Sequence, residues 1–167
     1  MKLIIASLVI FSLVILFLFA LFPSDISVTR VVQINRPKTA VRKKIADLRE
    51  WKSWNRFLYD AFAQNLPNNV TGMEDSGHIT RPSVSVELLK AGPDTVITRW
   101  HHEKKSFDGD FIMTEMNGQV VLEWTLHFHL KWYPWDKLAG MFYDKQLGPA
   151  MEQSLMNLRQ ELESAPY

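Results

Sequence analysis

The stretch "VVLEWTLHFHL", Val120–Leu130, decides how this chain folds. Its even positions, Val120, Leu122, Trp124, Leu126, Phe128 and Leu130, are all apolar, while the odd ones are Val121, Glu123, Thr125, His127 and His129. Alternation sustained over this length is the period of a β-strand with one face in a core and the other towards solvent. His127 and His129 fall on the polar face. A structural zinc site closes three or four ligands around the ion, and two outward imidazoles with Glu123 one pleat away make a weak chelate at most. The expectation is a solvated sheet face and no metal site.

Working outward, Asn117-Gly118 is a two-residue hairpin signal that joins this strand to "DFIMTEM", Asp110–Met116. Two further strands, "PSVSVELLKAG" (Pro82–Gly92) and "TVITRWHHE" (Thr95–Glu103), meet at a Gly-Pro-Asp turn. Asp108-Gly109-Asp110 reads as a loop turn rather than a calcium site, which needs more oxygens in order. Near the start, "SVTRVVQI" (Ser27–Ile34) is a strand with Val28, Arg30, Val32 and Ile34 on one side. Asn35-Arg36-Pro37 then turns into a helix whose apolar face is Val41, Ile45 and Leu48. Trp51–Leu66 is aromatic-rich at near-helical spacing and reads as a short helix pair, and Pro67–Gly77 as a loop. The chain closes with a helix over Asp136–Glu163, its apolar stripe Leu147, Met151, Leu155, Leu158 and Leu162, with a kink or division expected at Gly148-Pro149. Strands in series under one long amphipathic helix give an α+β layer.

The first residues are of a different kind. Leu3–Phe22 carries no charge, and sixteen of its twenty residues are Leu, Ile, Val or Phe. As a helix it would be about 30 Å long, the thickness of a bilayer's hydrocarbon core. It is longer than the apolar run of a signal peptide, and Leu18 two positions before Ala20 makes a poor cleavage site. The expectation is a single-pass anchor over 1–24 and one domain over 25–167. With Lys2 holding the N-terminus inside, that domain would stand outside the cytoplasm, on the periplasmic side in a bacterium.

Nineteen basic against eighteen acidic residues give a net charge of +1, which is no electrostatic footprint for nucleic acid. With no cysteine, no Gly-x-Ser-x-Gly and no phosphate-cradling glycine loop, the usual nucleophilic machinery is missing. His102, sharing strand parity with Trp100, could turn into an apolar pocket as a polar group there, or be a hydrogen-bonded structural histidine or one at the exposed end of its strand. Of the six tryptophans, Trp132 and Trp135, with Tyr133 between them, suit a pocket mouth or a membrane interface better than a core.

Two segments resemble a known family. "VTRVVQINRPKTAVRKKIADLREWKSWN" carries a strand, a Pro, a helix with Val41 and the pair Trp51 and Trp54. "YDKQLGPAMEQSLMNLRQELES" carries a Gly before Leu155 and Leu158. Together they resemble the START-like superfamily, the polyketide cyclase/dehydrase and lipid-transport or helix-grip group, over about residues 28–163. The resemblance implies a long C-terminal helix gripping a bent antiparallel sheet over an apolar cavity. It implies a hydrophobic small molecule or lipid as partner, and it carries over no catalytic residue, cofactor or metal. On that basis the expected wall is Trp54, Trp100, His102, Leu122, Trp124, Leu126 and Phe128, with Met141, Leu147 and Met151 from the helix. A cyclase or hydrolase using the same cavity, or a ligand-free interaction module, are the alternatives.

Overall fold

The computed structural model describes residues 2–21, 23–58, 73–74, 77–80, 84–102 and 105–164. Helix α1 covers Lys2–Leu21 and strand β1 Asp25–Ile34. Helix α2 (Lys38–Ala46), a 3-10 turn (Leu48–Glu50) and the short α3 (Trp51–Trp54) follow. Six strands come next: β2 Met73–Glu74, β3 His78–Thr80, β4 Val84–Ala91, β5 Thr95–His102, β6 Lys105–Met116 and β7 Gln119–His129. Helices α4 (Pro134–Gly140) and α5 (Tyr143–Ser164) end the chain.

The strands form one antiparallel sheet in the order β1-β7-β6-β5-β4-β3-β2. Neighbours in sequence are neighbours in space from β2 to β7, and β1 closes the far edge by pairing with β7 from Asp25↔His129 to Ile34↔Val120. The β6–β7 hairpin turns at Asn117 and Gly118, both with positive φ, as its Asn-Gly sequence requires. In β7 the even positions Val120, Leu122, Trp124 and Leu126 are buried, and His127 and His129 are exposed.

Helix α5 lies across the inner face of this sheet and buries Met151, Leu155 and Leu158, one turn apart on a single stripe. It meets β1 at Gly148. Arg30 points inward from β1, and a Cβ on Gly148 would sit 1.8 Å from its Nη2, so a larger residue there would displace the guanidinium. Arg30 then donates to Asp144 Oδ1 at 2.8 Å and holds that carboxyl below the usual carboxylate range.

Several expectations are corrected. The terminal helix divides at Met141–Phe142, not at Gly148-Pro149, and Pro149 lies inside α5. There it forfeits one backbone hydrogen bond early in a helix of 22 residues. Asp108-Gly109-Asp110 is mid-strand in β6 rather than in a loop. The stretch Pro67–Gly77 holds the two-residue β2, and its other positions before Gly77 lie outside the described residues. The helix pair read over Trp51–Leu66 is described only as far as Leu58, with α3 as its first piece.

The single-pass anchor is also corrected. Among the described residues no helix is long and apolar enough to cross a membrane. The placement of the domain outside the cytoplasm rested on that anchor and goes with it.

Candidate functional site

The space between sheet and α5 is filled by aromatic rings. Trp51, Trp54, Trp100, Trp124, Phe57 and Phe111 are all fully buried. Trp51 sits 5.4 Å from Trp54 and 5.7 Å from Trp100, and Phe111 stacks on Trp124 at 5.0 Å. Rings at these separations leave no room for a guest. Gly109 serves this packing. Trp100 Nε1 donates to Thr98 Oγ1 at 3.0 Å, and Thr98 Oγ1 donates to the Gly109 carbonyl at 2.9 Å. A Cβ on Gly109 would stand 2.8 Å from Trp100 Nε1 and 2.9 Å from Leu126 Cδ2. By contrast, Trp54 Nε1, Trp124 Nε1 and Asn55 Nδ2 are buried with no hydrogen-bond partner among the described residues.

A cavity opens where the packing stops, at the end of the sheet beside the start of α5. Pairing between β6 and β7 ends at Asp108↔His127. Beyond that point β6 stays with β5 to His102↔Lys105, while β7 stays with β1 to Asp25↔His129. The two central strands therefore part in a fork. Phe107 and Phe128 fill it with ring centroids 4.7 Å apart, and Tyr143 of α5 meets Phe128 edge-on at 4.9 Å.

Under the fork is a pocket of about 440 Å³, within the size range of small-molecule sites. Phe107, Phe128, Leu130, Tyr143 and Leu147 form its apolar wall, and His102, Lys105, Ser106, His129, Lys131, Asp136 and Gln146 its polar rim. Lys105 Nζ and Asp136 Oδ1 face each other across this rim at 3.6 Å. On the other side of the fork, the outer sheet face carries a wider cleft of about 670 Å³ that shares Ser106, Phe107, Phe128 and His129 with the pocket.

That outer cleft is a self-paired polar surface. His127 Nε2 lies 3.1 Å from Asp110 Oδ2, His129 Nδ1 2.7 Å from Asp25 Oδ1, and His101 Nδ1 2.8 Å from Ser106 Oγ. Arg99 donates to both carboxylate oxygens of Asp108 at 2.8 and 3.2 Å. This bidentate contact holds the Asp108 carboxyl below its ordinary value. Among the described residues no group of three or more His, Asp or Glu could hold a metal ion.

The family described as "Polyketide cyclase / dehydrase and lipid transport" matches residues 25–163. The chain belongs to this family. No curated protein matches it by sequence. Among solved structures, CalU16 from Micromonospora echinospora aligns with a TM-score of 0.56 at 14% identity, over 84% of this chain and 76% of that one. Protein MLL2253 from Mesorhizobium loti gives 0.58 at 13% identity, over 85% of this chain and 100% of that one. A truncated norcoclaurine synthase from Thalictrum flavum gives 0.58 at 7% identity, over 85% and 96%. At these identities the likeness is one of fold: the α+β helix-grip architecture, an open antiparallel sheet with a long C-terminal helix.

Within that architecture the expected wall residues separate into three groups. His102, Phe128 and Leu147 line the pocket. Trp54, Trp100, Leu122, Trp124, Leu126 and Met151 are buried in the packed core, where they face other side chains. Met141 is 58% exposed at the junction of α4 and α5. Trp132 and Trp135 are 67% and 66% exposed, with Tyr133 stacked on Trp135 at 5.1 Å, and none of the three lines the pocket. Sequence reasoning missed Phe107 and Tyr143. Phe107 shares parity with Gly109 and Phe111, so extending the strand period upstream from Asp110 would have found it.

Proposed function

We propose that this domain binds a small hydrophobic or amphipathic molecule, lipid-like in character, in the pocket beneath the β6–β7 fork. The observation that carries this reading is the contrast within one fold. The centre of the grip is filled by aromatic rings, whereas the space bounded by Phe107, Phe128, Leu130, Tyr143 and Leu147 is empty and apolar. A guest gains about 25 cal/mol for each Å² of apolar surface that it removes from water there. The family description, with its lipid transport, and the fold shared with other helix-grip proteins support the same reading. Fold alone does not choose between binding and catalysis, since a synthase shares it. The pocket favours binding. A serine nucleophile needs a base, a group to orient that base and oxyanion donors. The His101–Ser106 pair offers only the first.

The test is substitution of the wall. Leu147→Trp places an indole in the void, so it should abolish binding of an environment-sensitive apolar fluorophore while leaving the unfolding midpoint close to that of the parent. Binding of the fluorophore undiminished by Leu147→Trp would refute the assignment of the pocket.

A further inference from the structure

Resting on the reading of this pocket as a ligand site, we infer that its ligand is an anionic amphiphile, with a carboxylate or phosphate head at the rim and its apolar body against the two phenylalanines. The wall fixes the apolar end, because Phe107, Phe128, Leu130 and Leu147 offer nothing to a polar group. The rim fixes the sign of the charge at the other end. Among the described residues it carries two ammonium groups, Lys105 and Lys131, against one carboxylate, Asp136. Lys105 faces Asp136 at 3.6 Å, close enough for attraction but too long for a hydrogen bond, so its N–H donors are not spent on that carboxylate. Lys131 makes no ion pair among the described residues.

Among the described residues, the nearby carboxylates do not alter this balance. Asp25 is engaged with His129 on the outer side of the fork, and Asp144 is engaged with Arg30. A cationic head would meet Lys131 unopposed and a neutral head would leave it unmatched. An anionic head pairs with Lys131 and supplies Lys105 with an acceptor, each as a charge-assisted contact.

The experiment uses the full chain and matched probes: dodecanoate, dodecyl phosphate and dodecanol, which share a tail and differ in the head. Both anions should bind about twofold to fivefold more tightly than the alcohol, the scale of an exposed ion pair. Which anion binds more tightly assigns the head as carboxylate or phosphate. Lys131→Met keeps the apolar stem and removes the charge, so it should erase most of that preference and leave dodecanol binding unchanged. Lys145→Met, exposed on α5 and outside the rim, should change neither. Dodecanol binding as tightly as the anions, or Lys131→Met weakening all three probes equally, would overturn the charge assignment and leave the pocket reading intact. Failure of every probe to bind would overturn both.

Discussion

Two tryptophans on inward positions of β5 and β7 offer a controlled comparison of what a buried indole N–H costs. Trp100 and Trp124 are both fully buried and stack at 6.3 Å. Trp100 Nε1 donates to Thr98 Oγ1, whereas Trp124 Nε1 has no partner among the described residues. Replacing either by Phe deletes the same atoms, and the transfer and cavity costs together come to about 2 kcal/mol in each case. The polar terms then differ in sign. Trp100→Phe also loses a hydrogen bond worth about 1 kcal/mol, for a total of about 3 kcal/mol. Trp124→Phe relieves an unmet donor that costs about 1–3 kcal/mol when buried, which offsets most of the truncation. Urea unfolding of both variants, at unchanged slope with denaturant, should therefore place Trp124→Phe within about 1 kcal/mol of the parent and Trp100→Phe about 2–3 kcal/mol below it. Equal losses would refute the reasoning, because they would mean that the Trp124 N–H is satisfied in solution.

Two further outcomes follow from the same contacts. Gly109→Ala drives a methyl against Trp100 Nε1 and Leu126. An overpacking cost of about 1–3 kcal/mol, set against under 1 kcal/mol gained from a less flexible unfolded chain, leaves a net loss of about 1–2 kcal/mol, read from the same urea curves. Glu163 accepts from the Asn35 backbone N–H and pairs with Arg159, which holds its carboxyl below the ordinary value of 4.5. A depressed carboxylate stabilises the fold above its unfolded pKa, and that stability is lost as pH falls through the folded one. Thermal unfolding should therefore show a stability loss below about pH 4.5 that Glu163→Gln diminishes.

The fold was legible because its signals are local and periodic. The alternation in Val120–Leu130 orients β7, Asn117-Gly118 turns the hairpin, and the Leu147–Leu162 stripe marks the helix that covers the sheet. The site was less legible, for a physical reason. Strand parity says that Leu122, Trp124 and Leu126 point inward, but not whether the space they face is full. Trp51, Trp54 and Phe57, from a different part of the chain, fill that space, and no pattern within β7 reports it. The fork is equally hidden, since it arises where β6 and β7 choose different partners beyond Asp108 and His127. Arg30 is a third case. Its charge looks misplaced on an inward face until Gly148 and Asp144 are seen opposite it. In α1 the composition of Leu3–Phe22 pointed to a membrane span, whereas among the described residues no helix is long and apolar enough to cross a membrane.

The central claim is that the ligand site is the pocket under the fork and not the middle of the grip. Photolabelling of the full chain with an alkyl diazirine, followed by peptide mass spectrometry, tests it directly. Label is predicted on the segments that bear Phe107, Phe128–Leu130 and Tyr143–Leu147, and it should disappear in Leu147→Trp. Label on Trp54, Trp100 or Trp124, with those segments unmodified, would contradict the account.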